Sequence, residues 1–162
     1  MNVYKLTFSL LVLLSVAGLA QQPAQRSFTA IKSLAGDWNG KSSEGDVRVS
    51  FEIVSSGSAL MSRLRSDHAN MVTMFHLDGD QLLMTHYCDA GNQPRMKAAA
   101  SPDGKAISFD FLDTTNLQPG QPGHMKRLVI AFQSPDHHTE TWVFDANGKD
   151  ETNVFDLYRS HK

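Results

Sequence analysis

Beyond residue 36 the chain consists of short runs in which apolar side chains recur at every second position. DVRVSFEIV, SALMSRLRS, NMVTMFHL, QLLMTHYC, PRMKAAA, KAISFDFL, HMKRLVIAF, HTETWVFD and ETNVFDLYR follow one another with turn residues between them. A period of two puts alternate side chains on opposite faces of an extended strand, so each run reads as a strand with one buried face. Together with a first strand over Gly36 to Lys41, this spacing predicts an all-β fold. Asp78-Gly79, Asp103-Gly104 and Asn147-Gly148 supply the positive φ angles of tight hairpins, which makes consecutive strands antiparallel neighbours. The expected architecture is an up-and-down antiparallel meander closed into a barrel of about 8 to 10 strands.

A meander sends successive connections to alternate ends of the sheet. SSG, DGD, SPDG and SPD fall at one end and are tight, while SSEG, SDHA, CDAGNQ, TTNLQPGQPG and DANGKD fall at the other. The two longest connectors, residues 88–94 and 113–124, therefore frame a single mouth. The second contains Asn116, Pro119, Gly120, Pro122 and Gly123, too irregular for a strand, and reads as a flap with His124 at its base.

The same alternation sorts side chains into two faces. Val47, Val49, Phe51 and Ile53 are assigned to the interior, as are Ile107, Phe109 and Phe111, then Leu128, Ile130 and Phe132, then Trp142 and Phe144. Leu82, Met84, His86 and Cys88 point inward and Tyr87 outward. Met96, Ala98 and Ala100 also face in, their small volume leaving room, and Met71, Met74 and Met125 extend an adaptable thioether lining. Glu140 shares the face of Trp142 and, if buried, requires a histidine or arginine partner. His137-His138, after Ser134-Pro135-Asp136, reads as part of a turn, and Arg48, Glu52, Arg63 and Lys97 as solvated outer positions.

The N-terminus has a different pattern. One lysine precedes LTFSLLVLLSVAGLA, about fifteen largely apolar residues ending in Gly18 and Ala20 at the positions small residues occupy before a cleavage site. Residues 1–20 are expected to be a signal peptide, too short for the ~20 residues that span a bilayer, with a secreted or periplasmic product and no stable membrane insertion after its removal. Residues 21–27 read as a linker. SFTAIKSLAG then suggests a short helix capped by Ser27 or Thr29 and stopped by Gly36, within a single barrel domain over 28–162. Beyond residue 20 there are 14 basic and 17 acidic residues, a net charge of −3, so no nucleic-acid partner is expected. A single cysteine forms no internal disulfide, which leaves burial and backbone pairing to hold the fold.

Candidate chemistry concentrates in THYCDAGNQPRM, residues 85–96. His86 and Cys88 share a strand face, so the pair reads as a thiol activated by imidazole or as two metal ligands. No H-x-H or C-x-x-C motif completes a zinc site, and no metal is expected. A nucleophile also needs an oxyanion stabiliser and an orienting group for the histidine, so no catalytic residue is assigned, and His86 and Cys88 are retained only as candidates for an isomerase or hydrolase. The leading reading is binding of a small, largely apolar or amphipathic molecule by Met84, His86, Tyr87, Cys88, Asn92, Arg95, Met96, His124, Glu140 and Trp142. In that reading Tyr87, Asn92, Gln93 and Arg95 orient a carboxylate or carbonyl at the rim. A solid-core structural or interaction module is the remaining class.

Gly36-Asp37-Trp38 at the start of the first strand resembles the G-x-W signature of the calycins, the lipocalin, fatty-acid-binding and avidin-like barrels. The resemblance implies a late-strand arginine packed over the tryptophan, and Arg159 is the matching position, so Gly36, Trp38 and Arg159 form the expected structural signature. LDGDQLLMTHYCDAGNQPRM and HMKRLVI are similar to a group of bacterial secreted or periplasmic proteins with lipocalin-like barrels and no established activity. Nitrobindins, haem-binding ten-stranded relatives, also begin with G-x-W. Their resemblance implies a late histidine, for which His124 and His138 are the candidates. Neither lies in a nitrobindin-like context, so no cofactor is expected and haem is kept as an alternative.

Overall fold

A computed structural model describes residues 21–120 and 123–161. The expected signal peptide falls on residues 1–20, outside the described residues. Helix α1 (Pro23–Lys32) precedes ten strands: β1 (Gly36–Ser42), β2 (Gly45–Val54), β3 (Ala59–Arg65), β4 (Asn70–Asp78), β5 (Gln81–Tyr87), β6 (Gln93–Ala100), β7 (Ala106–Thr115), β8 (His124–Ser134), β9 (His137–Asp145) and β10 (Asp150–Arg159). Each strand pairs with the next in antiparallel fashion, and β10 returns to β1, so the sheet closes on itself as the expected meander barrel. Among the described residues no helix is long and apolar enough to cross a membrane.

Local chemistry accounts for the hairpins. At the β9–β10 turn Asn147 and Gly148 both take positive φ, and the Gly148 amide donates to Asp145 Oδ1 at 2.6 Å. At the β6–β7 turn the Asp103 carboxylate accepts from the Ser101 hydroxyl and the Lys105 amide at 2.6 and 3.0 Å. Closure depends on Gly40, where a Cβ would lie 1.9 Å from the Asp156 carbonyl oxygen, so only glycine lets the two end strands approach this closely.

The helix begins earlier than expected and takes in most of the segment read as a linker. Pro23 occupies its first turn, where the missing N–H is no loss, and Ser27 is buried within it instead of capping it. Thr29 likewise caps nothing; its hydroxyl donates back to Gln25 O at 2.9 Å. Phe28 and Ile31, with Leu34 just beyond, bury one stripe against the barrel end formed by β4, β5 and β6.

That end is fastened by the expected signature. The Arg159 guanidinium lies 4.2 Å from the Trp38 ring centroid. It also donates to Ala35 O at 2.8 Å, to Ser33 O and Pro135 O at 3.0 Å, and to Asp136 Oδ1 at 3.0 Å. Trp38 Nε1 donates to Leu34 O at 2.7 Å. One side chain thus joins the helix exit, the β8–β9 turn and the last strand, with the cation–π contact contributing about 0.5 to 2 kcal/mol.

Four ring contacts cross the lumen. His138 on β9 meets Trp38 on β1 and Phe51 on β2, with centroids 4.3 and 5.9 Å apart. Phe75 on β4 meets Phe109 on β7 at 5.3 Å, and His86 on β5 meets Trp142 on β9 at 4.7 Å.

Four positions assigned to the interior lie elsewhere. Ile53 is 47% exposed because β2 runs past the edge of the core before the 3₁₀ turn Ser55–Gly57, and Ala100 is exposed at the corresponding end of β6. Met74 sits on the outer face, since the buried positions of β4 are Thr73 and Phe75. That run is apolar on both faces, so alternation alone could not choose between them. Phe111 keeps the inward register of Met96, but β7 leaves the wall there and its ring is 40% exposed.

Candidate functional site

The two long connectors meet over one end of the barrel, as the parity of the meander requires. Cys88 N donates to Asn92 O at 3.1 Å and Gly91 N to Cys88 O at 2.9 Å, closing the first connector into a compact turn. The buried Asn92 side chain reaches across, its Nδ2 donating to Gly123 O at 2.8 Å, while Asn116 Nδ2 donates to Gly91 O. A cleft of about 460 Å³ opens beside them, lined by Leu117, His124, Asp145 and Asn147 among others.

Below the connectors the wall is incompletely paired. The β6–β7 ladder continues to Gln93↔Thr115, but β5–β6 pairing stops at Thr85↔Arg95 and β7–β8 pairing at Asp110↔Arg127. Pro94 has no N–H to offer β5, and a register shift at Arg95/Met96 bends the pair. The upper β6–β7 segment is therefore a two-stranded ribbon held along its own length, with both edges released from the barrel. Arg95 and Asp113 brace it from outside in a two-pronged ion pair whose Nε–Oδ1 distance is 2.6 Å.

His86 lies just inside this ribbon, 2% exposed. Its Nδ1 is hydrogen-bonded to Thr73 Oγ1 at 2.9 Å, its ring packs on Trp142, and Nε2 has no hydrogen-bond partner. Burial lowers its pKa from 6.5 to about 4, so the imidazole is neutral at neutral pH. Met84 and Met96 lie fully buried on neighbouring strands. On β9 a second polar group is buried: Glu140 Oε2 accepts from Trp142 Nε1 at 2.9 Å and Oε1 from His138 Nε2 at 3.4 Å. This is the histidine partner that a buried Glu140 requires.

The structure thus brings Met84, His86, Met96, Glu140 and Trp142 together inside, and separates the others from them. Tyr87 stands on the outer wall, half exposed. Arg95 faces outward too and is paired with Asp113. Asn92 holds the two connectors together, and His124 packs against Phe111 at 4.4 Å on the rim. His138, read from sequence as part of a turn, is a fully buried strand residue. The signal was present, since stepping back by twos from Trp142 through Glu140 reaches His138.

His86 and Cys88 are not coupled to each other in this structure. β5 ends at Tyr87, Cys88 belongs to the turn, and no hydrogen bond joins thiol to imidazole. Burial pushes the thiol pKa up, the Asp89 carboxylate adds to this, and the Ala90 amide opposes it. Alkylation of Cys88 by iodoacetamide is expected to be slow at pH 7 and to accelerate only at alkaline pH; rapid labelling at pH 7 would restore the activated-thiol reading. Among the described residues no three His, Cys, Asp or Glu side chains converge to hold a metal ion.

No protein-family model matches the chain, and no curated protein matches it in sequence.

Proposed function

We propose that the barrel binds a small, largely apolar molecule carrying one uncharged hydrogen-bonding group, admitted beneath the β6–β7 ribbon and anchored on His86. The observation that carries this reading is His86 Nε2, a buried polar atom without a partner, set among Met84, Met96 and Trp142. Leaving such an atom unpaired costs about 1 to 3 kcal/mol, which a ligand hydroxyl or carbonyl would recover. A neutral imidazole favours those groups over a carboxylate, because it offers no charge.

The released edges of the ribbon support access, since lifting it breaks few ladder bonds, and the two methionines supply adaptable volume. The calycin resemblance, carried by Gly36, Trp38 and Arg159, supports the same class of function, and residues 1–20 support a secreted or periplasmic setting.

The test is fluorescence titration with 1-aminoanthracene, an uncharged aromatic amine, together with native mass spectrometry of freshly purified protein. Saturable dye uptake that weakens in His86→Leu, or a retained non-protein mass, is the expected result. An absence of both would sink the proposal.

A further inference from the structure

We propose a second ligand site on the outer wall of the barrel, for a flat heteroaromatic ring joined to a short phosphate chain, the chemistry of a nucleoside di- or triphosphate. The site is a groove of about 970 Å³ over β1, β2, β3 and β10, separated from His86 by the sheet itself and independent of the interior reading. Asn39 and Gly40 on β1 line it between Tyr158 on β10 and Arg48 on β2.

The registers explain how the groove is assembled. Tyr158 on β10, Asn39 on β1, Arg48 on β2 and Arg65 on β3 are successive ladder partners and form one row across four strands. Arg63 stands in the next row, opposite Ser50. Neighbouring strands are about 4.8 Å apart, so the two arginines of the row are adjacent and Tyr158 is about 10 Å from Arg48. Arg63 and Arg65 already share a strand face in the linear sequence, and Arg48 joins them only when β2 and β3 align.

The charge arrangement is what singles the groove out. Three cations elsewhere on the outer wall are paired with acids: Arg95 with Asp113, Lys126 with Asp150 and Arg127 with Asp110. Arg48 and Arg65, by contrast, face each other directly, an arrangement that is destabilising in a sheet. Among the described residues no acid pairs with Arg48, Arg63 or Arg65. Three acids also line the groove. Asp46 faces Lys41 across the ladder, Asp156 is held by His137 Nε2 at 2.6 Å, and Asp37 is itself engaged. Three guanidinium groups are left without counter-ions, and the planar fork of each matches a phosphate with two parallel hydrogen bonds.

The opposite wall suits a ring. Tyr158 is 52% exposed, yet its orientation is fixed, because it stacks on His137 at 4.2 Å with 9° between planes and His137 is in turn held by Asp156. A phenol held in this way offers a stacking face at little entropic cost, and the Asn39 amide beside it can read a ring edge.

The experiment is isothermal titration calorimetry of the purified protein with ATP, ADP and inorganic pyrophosphate. ATP and ADP are expected to bind, more weakly as salt rises, and pyrophosphate to bind less tightly than either. Arg48→Ala and Arg65→Ala should each weaken ATP by about tenfold or more. Arg65→Lys should fall between, and Arg127→Ala, elsewhere on the wall, should change nothing. Tyr158→Ala should weaken ATP while leaving pyrophosphate unaffected. Both arginine variants relieve a like-charge contact and should melt no lower than the parent, which separates loss of binding from loss of fold. Absent ATP binding, binding indifferent to Arg48 and Arg65, or pyrophosphate binding as tight as that of ATP would each overturn the proposal.

Discussion

Replacing Glu140 with alanine is expected to destabilise the barrel by about 4 kcal/mol. The carboxylate is 2% exposed and serves two donors, Trp142 Nε1 at 2.9 Å and His138 Nε2 at 3.4 Å. Truncation strands both donors away from water, at about 1 to 3 kcal/mol each, and leaves a hole between the two rings. His138 also contacts Trp38 and Phe51, so the hole loosens the contacts beneath the Arg159 clamp. Glu140→Gln keeps an acceptor for the indole and should lose much less. Urea unfolding followed by tryptophan fluorescence measures both variants. A loss under about 1 kcal/mol for the alanine variant would mean that water replaces the carboxylate, and that the centre of β9 is wetter than its burial implies.

Acidification should destabilise the protein through His86 well before most carboxylates titrate. Its folded pKa is about 4 against 6.5 for the free side chain. Between those values the unfolded chain binds a proton on this imidazole that the folded chain does not, so stability rises with pH across the window. Lowering the pH from above 6.5 to about 4 should remove roughly 3 kcal/mol. His86→Gln retains a polar side chain that does not titrate and should flatten this part of the stability profile. Denaturant midpoints at half-unit pH steps make the comparison. An unchanged slope in the variant would place the sensitivity elsewhere. A ligand anchored on the neutral ring should be held across this window and released only as the pH falls below about 4, where the folded imidazole itself takes up a proton.

The strands were legible because two independent signals agreed, the period of two within each run and glycine-bearing turns between runs. Parity along the meander then placed both long connectors at one end, and the hydrogen bond from Asn92 to Gly123 is its direct counterpart. Trp38 and Arg159, far apart in the chain, could be matched only through the calycin resemblance. What stayed hidden depends on register between strands. Arg48 and Arg65 become neighbours only when β2 and β3 align, and the ribbon is released only because pairing stops at Thr85 and Asp110. Other misreadings were avoidable. Alternation already placed Arg95 opposite in sense to Met96, hence outside, and His138 in line with Trp142. Chemical conspicuousness outweighed the pattern at the first, and a neighbouring Ser-Pro-Asp turn obscured it at the second.

Nine of the ten strand junctions join segments adjacent in the chain, whereas the junction of β1 with β10 joins its two ends. Forming a contact at that separation carries the largest loop-closure entropy in the molecule, so it sets the pace at which an open sheet becomes a cylinder. Until it forms, β1 and β10 are bare edges able to capture a second chain. Gly40 and the Trp38–Arg159 contact both lie on this junction, where they would guard newly made chains against clumping as well as holding finished ones shut.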